Sequence, residues 1–291
     1  MNRPALVLLG LLLALETARA DDFPDFKPGA QDITFAETSP DATPKEMVWR
    51  FNAPDEPPDY DITREKFRIW ISDKYSHEET WGLFVWVDPG STPRLPVEWG
   101  RELADRKLLA ISAYDSGNDR HTYFRCRLAV DGAFNMRKRF HIDPRRVYIS
   151  GGSGGGRVAS ILGISYADIF AGAFPIVGAD FYKAVLTPDG GAFYPPSFFP
   201  DAKVLAAAKR RNRYVLLTGS KDTNRDNTRS VFRRGYKAEG FRHILYLEVP
   251  KMGHAWPPAD WFAKGLDFLD KDDSPKARKA SGAKGRGMGK T

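Results

Sequence analysis

The chain has 291 residues, 42% of them hydrophobic, and a single cysteine, Cys126. That length and apolar content suit one sizeable domain, and a lone cysteine excludes an intramolecular disulfide. The formal charge of +7 belongs mostly to the ends: residues 271–291 carry +5 and the first twenty carry +1, which leaves +1 for the body and no basic face for nucleic acid.

Residues 1–20 read as a secretory signal peptide. Arg3 supplies the positive start, an apolar run over 5–15 follows, and Ala18-Arg19-Ala20 forms a small-x-small cleavage site. The run is too short for a comfortable membrane span, so the mature chain is expected to begin near Asp21 and to work in the periplasm or outside the cell. Residues 21–58, rich in Pro, Asp and Thr, are expected to form an irregular extension with one strand at 46–52. The main domain is expected over 59–270. Strand candidates at 66–72 and 82–87 precede a helix at 97–107, a strand at 108–114 and a long helix at 120–140. Cys126 repeats with Ala129, Val130 and Ala133 at helical spacing, which predicts buried packing rather than reactivity. A strand then leads into a glycine cluster and its helix. Further strands at 171–177, 214–218 and 244–249 and helices at 227–239 and 258–269 complete the pattern. This alternation predicts an α/β fold with a mostly parallel central sheet and helices on both faces.

Residues 178–213 interrupt the rhythm with a lid-like insertion that carries Phe181, Tyr182, Phe193, Tyr194, Phe198 and Phe199 among prolines and glycines. Packing against the body and lining a substrate site are equal readings for these rings, with Phe181 and Tyr182 the candidates for the second. Residues 271–291 hold almost no apolar residues and are expected to form a disordered, solvated tail.

The densest chemistry lies at Val147-Tyr148-Ile149-Ser150-Gly151-Gly152-Ser153-Gly154-Gly155-Gly156-Arg157-Val158. Gly151, Ser153 and Gly155 satisfy G-x-S-x-G between a strand-like and a helix-like run, the pattern of a nucleophile elbow. A Gly/Ser linker would have polar flanks, and a Walker loop would follow its glycine with Lys-Ser/Thr rather than Arg157-Val158. A serine hydroxyl needs a base, and the base needs an acid to hold its tautomer. Among later histidines, His243 precedes the strand at 244–249, whereas His254 follows its C-terminal end, where active-site groups of open α/β sheets gather. His254 is therefore the expected base. Asp222, just beyond the strand at 214–218, is the expected acid, with Asp226 in reserve as an alternative helix cap. The expected oxyanion donors are the N–H of Gly154 and a donor from Asp88-Pro89-Gly90-Ser91. Pro89 has no N–H, which leaves Gly90 or, preferably, Ser91. Asn118 follows another strand end and is a candidate for substrate contact, although a tight turn explains it equally well; Trp256, beside His254, is a further candidate. No His/Cys/Asp/Glu cluster has metal-ligand spacing, and no cofactor is expected.

At Ile142-Asp143-Pro144-Arg145-Arg146-Val147-Tyr148, the elbow, and Met252-Gly253-His254-Ala255-Trp256-Pro257, the chain resembles secreted α/β-hydrolases of the polyhydroxybutyrate-depolymerase and feruloyl-esterase-like group. The resemblance runs from about residue 67 to 269. It implies the α/β-hydrolase fold, with Ser153 as nucleophile, Asp222 as acid and His254 as base. The implied substrate is a carboxylic ester, polymeric or carbohydrate-linked, cleaved through an acyl-enzyme. Two departures stand out. The oxyanion loop has Pro89-Gly90 where relatives carry His-Gly, and the elbow reads Ser-Gly-Gly-Gly where relatives more often show Ser-Ala-Gly-Gly. Two other readings remain at this stage: a serine peptidase on the same fold, and a non-catalytic binding protein on a hydrolase scaffold.

Overall fold

The computed structural model describes residues 26–271; the expected signal peptide and the tail beyond Lys271 lie outside the described residues. The strands are β1 (Gly29–Thr34), β2 (Lys66–Ile71), β3 (Trp81–Val87), β4 (Leu108–Ala113), β5 (Ile142–Gly152), β6 (Gly172–Ile176), β7 (Val185–Leu186), β8 (Phe193–Tyr194), β9 (Arg213–Gly219) and β10 (His243–Val249). The helices are α1 (Pro44–Phe51), α2 (Val97–Asp105), α3 (Thr122–Arg139), α4 (Gly154–Ser165), α5 (Ala202–Arg211), α6 (Arg225–Ser230), which runs on as a π-helix over Val231–Lys237, and α7 (Ala259–Leu269). Eight strands form one sheet in the order β1-β2-β4-β3-β5-β6-β9-β10. β2 pairs antiparallel with β1 and β4, and the remaining neighbours run parallel, as the alternating pattern predicts.

Both faces of the sheet are covered, and the period of two divides each strand between two cores. Leu83, Val85 and Val87 of β3 join one cluster with Leu128, Val130, Val158 and Leu162, while Phe84 and Trp86 join the other with Trp99, Leu103, Phe262 and Leu266. Helices α3 and α4 thus cover one face, and α2 and α7 the other. No helix among the described residues is long and apolar enough to cross a membrane.

The N-terminal extension differs from expectation. Residues 46–52 do not form a strand; 46–51 belong to α1 and Asn52 is its C-cap. Thr43 caps this helix by accepting the Glu46 N–H through Oγ1, and Pro44 occupies the first turn. Met47, Arg50 and Phe51 then fall on one buried face at helical spacing. The capping residues outweigh the β-leaning Val48-Trp49. The extension's strand is instead β1, whose sequence Gly-Ala-Gln-Asp-Ile-Thr carries little apolar signal and pairs at the sheet edge. The extension also seals α3. Arg127, fully buried, donates to the Ala42 and Pro58 carbonyls and to Asp59, and Asp131 accepts the Ser39 N–H and the Tyr60 hydroxyl. Cys126 is buried in the same helix, and burial pushes its thiol up to about 12, consistent with packing rather than nucleophilic use.

The insertion at 178–213 holds a β7–β8 ribbon and α5, neither of which its sequence announced. Phe181, Tyr182 and Phe198 turn inward, while Phe193 and Phe199 remain exposed.

Candidate active site

The elbow forms between β5 and α4. Ser153 sits between them with φ 52° and ψ −117°, a left-handed conformation rare for any side chain and confined to strained positions. The turn is tight because α4 starts directly against the end of β3. A Cβ on Gly155 would lie 1.9 Å from the Val87 carbonyl oxygen, a backbone atom that cannot yield. The second departure from the resembling group also has a local reason. A Cβ on Gly154 would fall 1.9 Å from Asn118 Oδ1, so in this chain the Asn118 side chain occupies the space that an alanine would need.

The three expected residues meet above the C-terminal ends of β5, β9 and β10. His254 Nε2 lies 2.9 Å from Ser153 Oγ, and His254 Nδ1 lies 2.7 Å from Asp222 Oδ1. The Asp222 side chain is fully buried, and it also accepts from the Thr218 hydroxyl at 2.6 Å and the Asn224 N–H at 3.0 Å. Together these bonds fix the plane of the carboxylate. Asp226, the reserve candidate, is largely exposed on α6 beside Arg225. The loops that carry Asp222 and His254 are laced together: Ser220 and Lys221 N–H groups donate to Val249 and Met252 carbonyls, and the Lys251 N–H donates to Ser220 Oγ. Trp99 Nε1 donates to the Pro257 carbonyl, which ties the end of the histidine loop to α2. His243 opens β10 and lines a larger cavity, about 820 Å³, at the N-terminal ends of β9 and β10, the opposite edge from Ser153.

The loop after β3 is organised by Asp88. It accepts from Trp86 Nε1, from the Arg94 N–H and, at 2.9 Å, from the Gly90 N–H. The Gly90 donor expected for an oxyanion is therefore already spent inside its own loop. Ser91 is the member of the pair whose N–H meets no acceptor among the described residues; its carbonyl accepts the Asp115 N–H. Ser91 lines a cavity of about 320 Å³ with Thr92, Arg94 and Trp256, whose ring stands edge-on to Trp86 at 5.5 Å.

Ser153 opens into a cavity of about 410 Å³ lined by Asn118, Thr122, Arg125, Arg157, Asp180 and Asn224 among others. Phe181 and Tyr182 do not line it. Both pack with each other at 4.4 Å, Phe181 packs on Tyr236 at 5.1 Å, and the Tyr182 hydroxyl donates to Glu239. Of the two readings for these rings, packing describes Tyr182, while Phe181 also borders a neighbouring cavity of about 350 Å³ that shares Arg157, Asp180 and Asn224. Asn118, a sequence candidate for substrate contact, does line this cavity, whereas the rest of its polar lining, Arg125 above all, was missed in sequence. Its signal was a charge sitting in register with the buried stripe of α3.

The fold is an α/β fold shared with solved hydrolases. The feruloyl esterase module from Clostridium thermocellum, solved with sinapinate, superposes with a TM-score of 0.52 at 12% identity, covering 84% of this chain and 90% of that one. A putative dipeptidyl aminopeptidase IV from Bacteroides ovatus gives 0.54 at 12% identity, covering 83% of this chain and 35% of that one. In sequence, 47 residues, 16% of the chain, are 43% identical to poly(3-hydroxyalkanoate) depolymerase C of Paucimonas lemoignei. The chain spans only 11% of that depolymerase's length. No protein-family model matches the chain.

Proposed function

We propose that the chain is an exported serine hydrolase that cleaves carboxylic esters through an acyl-enzyme. The observation that carries this reading is the unbroken hydrogen-bonded line from Ser153 Oγ through His254 to the buried Asp222. Ser153 Oγ attacks the ester carbonyl carbon while His254 Nε2 takes its proton, and Asp222 holds Nδ1 protonated and stabilises the imidazolium. The tetrahedral oxyanion is met by the N–H of Gly154 and by that of Ser91. Its collapse breaks the C–O bond to the alcohol, which leaves with the proton from His254. Water, deprotonated by the same nitrogen, then attacks the acyl carbon, and release of the acid restores the serine. Export rests on the signal-like residues 1–20. The similarity over 47 residues to a depolymerase supports an ester over a peptide bond.

The test is turnover of p-nitrophenyl esters and of peptide anilides by the mature chain, alongside labelling by a fluorophosphonate. Ester turnover and labelling are expected, both lost in Ser153→Ala. Retention of either by the variant, or cleavage of anilides alone, overturns the reading.

A further inference from the structure

Arg125 lies on the first turn of α3 and is buried, with 4% of its surface exposed. Its Nε donates to the Ser116 carbonyl at 2.7 Å and its Nη2 to the Asp88 carbonyl at 3.4 Å. Both partners are neutral. No carboxylate bonds it: the nearby Asp88 is committed to Trp86, Gly90 and Arg94, and Asp119 stands near without a hydrogen bond to it. Nη1 meets no acceptor among the described residues, although Arg125 lines the cavity that holds Ser153. Buried polar groups are ordinarily satisfied, and a buried guanidinium is ordinarily paired with an anion. The cavity's other charges cancel, because Arg157 is paired with Asp180. Burial pulls the Arg125 guanidinium below its ordinary value, with the nearby Cys126, Asp119 and Asp88 opposing it from a distance and none of their side chains hydrogen-bonded to it.

We propose that Arg125 is a specificity residue that receives a carboxylate on the substrate, so that the preferred ester carries a free acid group on the part that enters this cavity. The proposal rests on the ester-hydrolase reading for the meaning of Ser153. Asn118 and Thr122 stand beside Arg125 to accept the rest of an oxygen-rich group. An arginine with two nitrogens fixed on carbonyls presents the third with little conformational freedom left to lose, which favours recognition of a planar anion.

The experiment measures binding apart from turnover. Calorimetry on Ser153→Ala compares the monomethyl ester of glutaric acid with its dimethyl ester, and then repeats both on the Ser153→Ala chain carrying Arg125→Gln. The monoacid is expected to bind at least about tenfold more tightly, as for a charge-assisted contact, and the Gln variant is expected to lose that preference. Equal binding of the two esters, or a preference that survives Arg125→Gln, overturns the proposal. Should the Gln variant fail to fold, the wild-type chain decides. Its kcat/KM for the p-nitrophenyl monoester of glutarate should exceed that for p-nitrophenyl valerate, and the reverse order overturns the proposal. Because the calorimetry needs no turnover, loss of the ester-hydrolase reading and loss of the Arg125 contact give separate results.

Discussion

Asp222 and His254 stand 32 residues apart in the chain and 2.7 Å apart in space, and Thr218 holds the far oxygen of the same carboxylate. Asp222→Asn keeps the shape but presents an amide that donates where Nδ1–H must donate, which selects the wrong imidazole tautomer. A loss in kcat of about 10⁴-fold is expected. Asp226→Asn changes an exposed side chain and should stay within about twofold. Steady-state kinetics on both variants checks the assignment; the opposite ranking would give the role to Asp226.

Gly155 is required by the approach of α4 to β3. Gly155→Ala places a methyl group 1.9 Å from the Val87 carbonyl oxygen, so helix and strand must part. Overpacking of this kind costs about 1–3 kcal/mol or more. For a chain of this size the melting temperature should fall by about 2–10 °C. Gly100→Ala at an exposed position of α2, where an added Cβ meets nothing within 4 Å, is the control and should be neutral or slightly stabilising. Equal melting temperatures for the two variants would remove the steric account of the elbow.

Asp131 predicts a pH dependence. Burial raises its carboxyl to about 6 from an ordinary 3.8, against the opposing bonds from Tyr60 and Ser39. Between those values the folded chain holds a proton that the unfolded chain has released, so stability falls as pH rises through this window and the loss is complete above it. Asp131→Asn removes the titration. Relative to that variant, the wild type should lose up to about 3 kcal/mol between pH 4 and pH 7, measured by urea unfolding. A stability difference that does not change with pH would falsify this.

Much of the architecture was legible because hydrophobic period reports burial. The β3, β4 and β9 segments read as strands because both their faces are covered, and G-x-S-x-G with a histidine and an aspartate after later strands needs only chain order to be recognised. The β1 strand was hidden because an edge strand draws its stability from pairing with β2 rather than from its own side chains. The α1 helix was misread because Val48 and Trp49 lean toward strand, while the Thr43–Glu46 cap is a local signal of equal weight.

Sequence alone determined the order of the candidate site residues: a serine on a glycine-bounded turn, then an aspartate, then a histidine. Tertiary structure decided everything that depends on which loops touch. It set Asp222 rather than Asp226 beside His254, spent the Gly90 N–H on Asp88, and filled the space above Gly154 with Asn118. It also turned Phe181 and Tyr182 toward the core and left Arg125 at the cavity beside Ser153 with no carboxylate hydrogen-bonded to it. The physical reason is that a hydrogen bond or a clash depends on distances of a few ångströms between segments far apart in the chain, and residue order alone does not encode those distances.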